Sequence, residues 1–355
     1  MTKKFALSGL LATTFLTGCL EQETIATVGD AENMLFTSKG ELLVTGGQSI
    51  YRMEVTTDAS GKKTYQPVRA YDGGNCSFAG IAQHGDWVFT VCAKPSLKWK
   101  NMTFQLGMDT QLMAANLAKE GPTTFKRLDT GWAEDPLDTL VIPNGLAFTP
   151  DGKLLIADEN FFGQGNVGRI TLDYSGEWPT ITRFEKDWLG AKYGIKSPNG
   201  VRVADHSIFV SDGGKVRRLF LNDLNELAMT VIQPDGTLRS NAPEANVFYQ
   251  GGLIIDDLQP ICGGVALTQF LEGKLVYAAA NGEVYQTPPL SFDSPSSLAI
   301  GQGPNFSGYD LLVTEKGLIY EKNSKLGNRL TRVPLPVDMN DPATCEVLGD
   351  LLSNG

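Results

Sequence analysis

Apolar positions along the chain fall into short runs of strand length, rich in Val, Ile, Leu and Phe, and the runs recur as a phrase. Each phrase begins with one such run, turns at polar or glycine residues such as Lys39-Gly40, Asp151-Gly152 or Gly213-Gly214, and resumes in a second run. A third run often follows. The phrases start at Glu32, Ala79, Asn144, Asn199, Gly263 and Ser297, with Ser296 in the first slot of the last. Helical periodicity is weak everywhere except over Phe104 to Ala118. Repeats of this length, built from strands and turns, predict an all-β chain folded as a six-bladed β-propeller. The spacing is uneven and closest between the last two units, so a five-bladed count stays open. A propeller ring is closed by pairing strands from both termini, which removes an exposed edge. The segments Thr24 to Val28 and Glu346 to Leu351 are the candidates.

The start of the chain follows a different pattern. Lys3 and Lys4 precede an apolar stretch from Phe5 to Leu16 that is too short to span a bilayer, and Leu16-Thr17-Gly18-Cys19 follows. The last four residues resemble the lipobox of bacterial lipoproteins, in which the cysteine is lipidated and becomes the mature N-terminus. An ordinary cleaved signal peptide is the alternative. The expected organisation is therefore a lipoprotein signal peptide over 1–18, lipidated Cys19 with a short tether over 19–29, and a single propeller over 30–355. Leu20 follows the cysteine, where an Asp would imply inner-membrane retention. The resemblance thus implies an outer-membrane anchor facing the periplasm, with membrane contact through the lipid alone.

Four cysteines remain in the mature part: Cys76, Cys92, Cys262 and Cys345. An even number in an exported chain favours disulfides, against the alternative of buried free thiols. Cys76 and Cys92 flank one hairpin around His84-Gly85-Asp86, which makes a cross-strand bond plausible and leaves Cys262 to pair with Cys345. Glycine is frequent, 39 of 355 residues, as many tight turns require. The formal charge of −10 repels phosphate backbones and excludes general nucleic-acid binding. The sequence names no protein partner.

The phrases Pro143-Asn144-Gly145-Leu146-Ala147-Phe148-Thr149-Pro150-Asp151-Gly152-Lys153 and Ser197-Pro198-Asn199-Gly200-Val201 resemble the SMP-30/gluconolactonase/LRE-like family. The resemblance is clearest over 140–222 and continues as repeat rhythm over 30–340. It implies a six-bladed propeller related to paraoxonases and strictosidine-synthase-like proteins. It also implies one divalent cation at the top of the central channel, Ca²⁺ first, with Mn²⁺, Mg²⁺ or Zn²⁺ as alternatives. The family's ligands are a Glu from blade one, Asn from blades three and four, and Asp from blade five. Glu32, Asn144 and Asn199 match the first three. Their oxygens are the hard donors such ions prefer. In the fourth slot Gly263 stands where the family has its Asp. Asp256 and Asp257, expected in the loop just before, are the substitutes, with Asp257 the candidate catalytic base.

The implied activity is metal-dependent hydrolysis of a small lactone or ester. The alternative is a non-catalytic envelope propeller that binds a protein, glycan or small ligand, and fold alone does not choose. A metal-free strictosidine-synthase-like mechanism would need an acid on the last blade, for which Glu315 is the candidate. Asp158 and Asp212 read as strand-end turn residues. Only two histidines occur, His84 and His206, both in turns expected on the face opposite the mouth, which argues against His-based triads and His metal clusters. Gly163 to Gly168 matches GxGxxG, but a strand-like run follows where a dinucleotide site needs a helix.

Overall fold

The structure is a computed structural model that describes residues 21–99, 102–119, 124–317, 327–335, 337–341 and 343–344, without the side chains of 95–108. Cys19, the leader over 1–18, Cys345 and the segment Glu346 to Leu351 lie outside the described residues. Six four-stranded antiparallel sheets form the blades. Blade one is Ala31–Phe36, Leu42–Gly46, Ser49–Thr57 and Lys63–Asp72. Blade two is Ser77–His84, Trp87–Trp99, Met102–Asn116 and Lys126–Arg127, so the stretch with helical periodicity is a long strand. Its partner strand supplies the hydrogen bonds, and this pairing overrides the local pattern.

Blade three is Ile142–Phe148, Leu154–Glu159, Asn166–Asp173 and Thr180–Leu189. Blade four is Pro198–Ala204, Ser207–Asp212, Lys215–Phe220 and Val247–Gln250, with the small hairpin Thr230–Ile232 and Leu238–Ser240 inserted before its last strand. Blade five is Ile255–Ile261, Gly264–Gln269, Lys274–Ala278 and Val284–Gln286. Blade six is Pro295–Ile300, Asp310–Glu315 and Arg329–Pro334, completed by the N-terminal strand Glu23–Thr27. The ring is thus closed by the first of the two candidate segments. Among the described residues no helix is long and apolar enough to cross a membrane.

Stability comes from between the blades. Each interface between neighbours holds one apolar cluster. Phe89, Leu146 and Ile156 join blades two and three, for example, and Phe209, Ile255 and Leu258 join four and five. Strands covered on both sides read as continuous apolar runs, as LLIADE in blade three does, all of it buried. At the closure, Ile25, Ala26 and Val28 enter the cluster between blades six and one. The hairpin disulfide Cys76–Cys92 is present, with Cα atoms 5.6 Å apart. Cys262 is disulfide-bonded as well.

Candidate functional site at the channel mouth

All six inner strands begin at the same face, and all six carry an irregularity in the same place. The pairing of inner with second strand slips between Ala31 and Met34, Phe78 and Ile81, Pro143 and Leu146, Pro198 and Val201, Ile255 and Leu258, and Pro295 and Ser297. A bulge re-aims the residues inside it. Here it turns one residue from each blade toward the axis: Glu32, Ala79, Asn144, Asn199, Asp256 and Ser296.

Neighbouring bulges touch, which explains the glycine of the repeated Pro-Asn-Gly phrase. A Cβ on Gly145 would lie 2.6 Å from the Asn199 carbonyl oxygen, and one on Gly200 would lie 2.7 Å from an Asp257 carboxylate oxygen. Hydroxyls on the second strands fasten the bulges. Ser211 Oγ accepts from Gly200 N at 2.6 Å and donates to Asp256 O at 3.1 Å. Thr45 Oγ1 bridges Asn33 N and Ala79 O, and Thr314 Oγ1 donates to Glu32 O at 3.1 Å.

This register corrects the reading of blade five. Its inner strand is Ile255–Ile261, and Cys262 and Gly263 form the turn that follows, both at positive φ. The phrase beginning Gly-Gly-Val is the second strand of the blade, so Gly263 lies at the far end of the channel from the mouth. The fourth slot of the ring holds Asp256. Polar residues at the bulge and Pro260 near the strand's end hide Ile255–Ile261 from a search for apolar alternation.

Glu32, Asn144, Asn199 and Asp256 all meet at the mouth. Asn144 Nδ2 lies 3.4 Å from Glu32 Oε1. Asn199 Nδ2 donates at 3.1 Å to a residue that the sequence reading missed, Glu159. Lys316 was missed too, and its Nζ contacts Glu32 Oε2 directly. The signal for both is the period of two along a strand. Glu159 and Lys316 each stand two residues past the hydroxyl position of their second strands, Ala157 and Thr314, and so face the same way. Blades three and six are opposite in the ring, which sets these two charges across the mouth from one another.

The electrostatics are those of crowded, poorly solvated acids. Burial, with repulsion from Glu32, pushes the Glu159 carboxyl up to about 8. Burial also raises Asp256 well above the carboxylate range, with Glu32 adding and Lys316 opposing. Asp30 is raised by burial in the same neighbourhood. No hydrogen-bond donor reaches the Asp256 carboxylate among the described residues. Groups of three or more His, Cys, Asp or Glu placed to hold a metal are absent among the described residues. The mouth instead mixes carboxylates with amides. Two carboxylates and two side-chain amides in one ring, with excess negative charge, fit a hard divalent cation.

Asp257 lies one layer deeper and is fully buried. Its Oδ2 accepts from Ser297 Oγ at 2.6 Å, contacts Arg202 Nη2 and lies 3.4 Å from Asn33 Nδ2. Burial raises its pKa, and the Arg202 guanidinium opposes that. Together these side chains form a hydrogen-bonded layer below the mouth. A separate cavity of about 390 Å³, lined by Leu35, Ile81, Phe148 and Ile261 among others, occupies the opposite end.

The other candidates resolve into structural parts. Asp158 accepts from Val141 N and Ile142 N, and Asp212 from Lys196 N and Ser197 N, so both pin strand entries. Glu315 is fully buried and held by Arg329, Thr331 and Asp293 N. Exposed His206 occupies a turn, and His84 stacks on Phe148 with ring centroids 4.9 Å apart. Residues Gly163 to Gly168 join two strands of blade three with no helix.

Comparison with known proteins confirms the propeller. No family model matches the sequence, and no curated protein matches it. Among solved structures, a structural-genomics target classed with the gluconolactonases is 13% identical, with a TM-score of 0.53, over 91% of this chain and 94% of that one. A luciferin-regenerating enzyme is 13% identical, with a TM-score of 0.53, over 90% and 98%. The PQQ-bound aldose sugar dehydrogenase of Streptomyces coelicolor is 14% identical, with a TM-score of 0.53, over 88% and 98%. These likenesses establish the class of fold, a six-bladed propeller that hosts several chemistries. They agree with the resemblance seen in the sequence and do not choose an activity.

Proposed function

We propose that the chain is a hydrolase of small lactones or related esters, working at the channel mouth with one divalent cation, Ca²⁺ first. The observation that carries this reading is Asp256. With blade five in its true register, the ring presents Glu32, Asn144, Asn199 and Asp256, the Glu-Asn-Asn-Asp set implied by the resemblance. Gly263, in the turn after that blade's inner strand, does not occupy the fourth slot. Each amide would turn its Oδ1 inward, a half rotation of the side chain away from the arrangement described. When bound, such a cation polarises a carbonyl and acidifies a water.

The remaining steps belong to the chain itself. Asp257 sits a layer below the mouth with its Oδ2 held by Arg202 and Ser297, so the role of proton acceptor is assigned to the mouth carboxylates, Asp256 and Glu159. Glu159, which accepts from Asn199 and stands outside the proposed ligand set, is the carboxylate placed to take a proton from water and return it to a leaving alcohol. The hydrogen-bonded layer of Asn33, Arg202, Asp257 and Ser297 supports the ring from below.

Export and lipid anchoring at Cys19 belong to the same proposal, and a disulfide in the Cys76–Cys92 hairpin suits an oxidising compartment. The closing strand pairs Glu23 with Arg332 and Thr27 with Arg329, so it starts at the face opposite the mouth. An anchor at Cys19 would turn the mouth away from the membrane, toward the periplasm. The test is hydrolysis of a panel of γ- and δ-lactones and aryl esters by protein stripped with chelator and reloaded with Ca²⁺ or Mn²⁺. Metal-restored turnover that falls at least a hundredfold in Asp256→Asn is expected. Absence of turnover across the panel in metal-loaded, folded protein would refute the reading.

A further inference from the structure

The mouth already contains a cation. Lys316 leaves the second strand of blade six two residues past Thr314. Its backbone is fixed by hydrogen bonds from Lys316 N to Ser294 O at 3.1 Å and from Gly317 N to Asp293 O at 3.0 Å. The side chain is thereby aimed inward, and its ammonium meets Glu32 Oε2 while Glu32 Oε1 faces Asn144. It is also the positive charge acting on Asp30, Glu159 and Asp256. Every acid at the mouth is therefore partly neutralised by one side chain, and that side chain holds an oxygen of a ring carboxylate.

We propose that Lys316 is the resident counter-ion of this site, filling Glu32 when no divalent ion is bound and displaced from Glu32 when one enters. The proposal rests on the metal-dependent reading given above. Two physical consequences follow. Entry of a divalent ion must break the Lys316–Glu32 pair, and the displaced ammonium then remains close enough to repel the ion. Lys316 thus lowers the affinity of the site and keeps the metal-free mouth from being an uncompensated cluster of buried acids.

The test compares the full chain carrying Lys316 with Lys316→Met, Lys316→Gln and Lys316→Arg. Ca²⁺ and Mn²⁺ are titrated calorimetrically after chelation, and melting is followed with and without ion. The expected result is at least tenfold tighter binding in Lys316→Met and Lys316→Gln, about 1.4 kcal/mol, with Lys316→Arg no tighter than the parent. Without ion, both uncharged variants melt below the parent, and added ion removes the deficit. Folding of each variant is checked by circular dichroism, so the loss of one variant leaves the other to decide. Equal affinity in the parent and in a folded uncharged variant would overturn the counter-ion role while leaving the metal site standing. Failure of parent and variants alike to bind either ion would overturn both.

Discussion

Glu159 is the residue at which structure and chemistry are most tightly linked. Burial, with repulsion from Glu32, pushes its carboxyl up to about 8 in the folded, metal-free chain, against an ordinary value of 4.5. Between those values the unfolded chain has lost the proton and the native chain keeps it, so stability falls as pH rises through that window and levels off above it. Metal-free protein should therefore melt at a lower temperature at pH 8.5 than at pH 5. In Glu159→Gln the decline should be shallower, leaving the variant more stable than its parent at the higher pH by an amount on the order of a few kcal/mol. Asp256 and Asp257, raised in the same direction, keep a residual slope. Parallel melting curves across pH for parent and variant would contradict the assignment. The residue escaped the sequence reading because an acid at the end of an apolar strand looks like any other turn residue. Only its register, two places beyond Ala157, shows that it faces the axis.

The element that makes the site is the bulged inner strand together with the hydroxyl behind it. Thr268 illustrates the device: its Oγ1 accepts from Asp257 N at 3.0 Å in the strand that presents Asp256. Replacing Thr268 with Val keeps the shape and strands that buried N–H, a loss expected to cost about 1–3 kcal/mol. Chemical denaturation measures it, and an unchanged midpoint would show that the hydroxyl does not fasten the bulge. Blades three and four were legible in the sequence because Pro-Asn-Gly marks the bulge, and the crowding at Gly145 and Gly200 gives that marker a steric cause. Blade five was not. Its bulge carries Asp256 and Asp257 in place of an amide and a glycine, so Ile255–Ile261 reads as a polar loop and the next apolar run takes its place. The same limit applies to Met102–Asn116, whose pattern fits a helix until its partner strand is known.

At the scale of the molecule, six blades place six residues in one ring, and the strand Glu23–Thr27 completes blade six as its outer strand, running from the face opposite the mouth toward the mouth. The overall architecture was written in the apolar rhythm, because an all-β ring must bury both faces of each sheet against its neighbours. The composition of the ring was only partly written there, since it depends on strand register and on side chains contributed by opposite blades. In the proposed cation site Asp256, and not a residue near Gly263, joins Glu32, Asn144 and Asn199. The most direct measurement is calorimetric titration of Ca²⁺ into chelator-treated protein, comparing the parent chain with Asp256→Ala. Saturable one-to-one binding in the parent and a loss of at least a hundredfold in Asp256→Ala are expected. Equal Ca²⁺ affinity in parent and variant would contradict the proposed site.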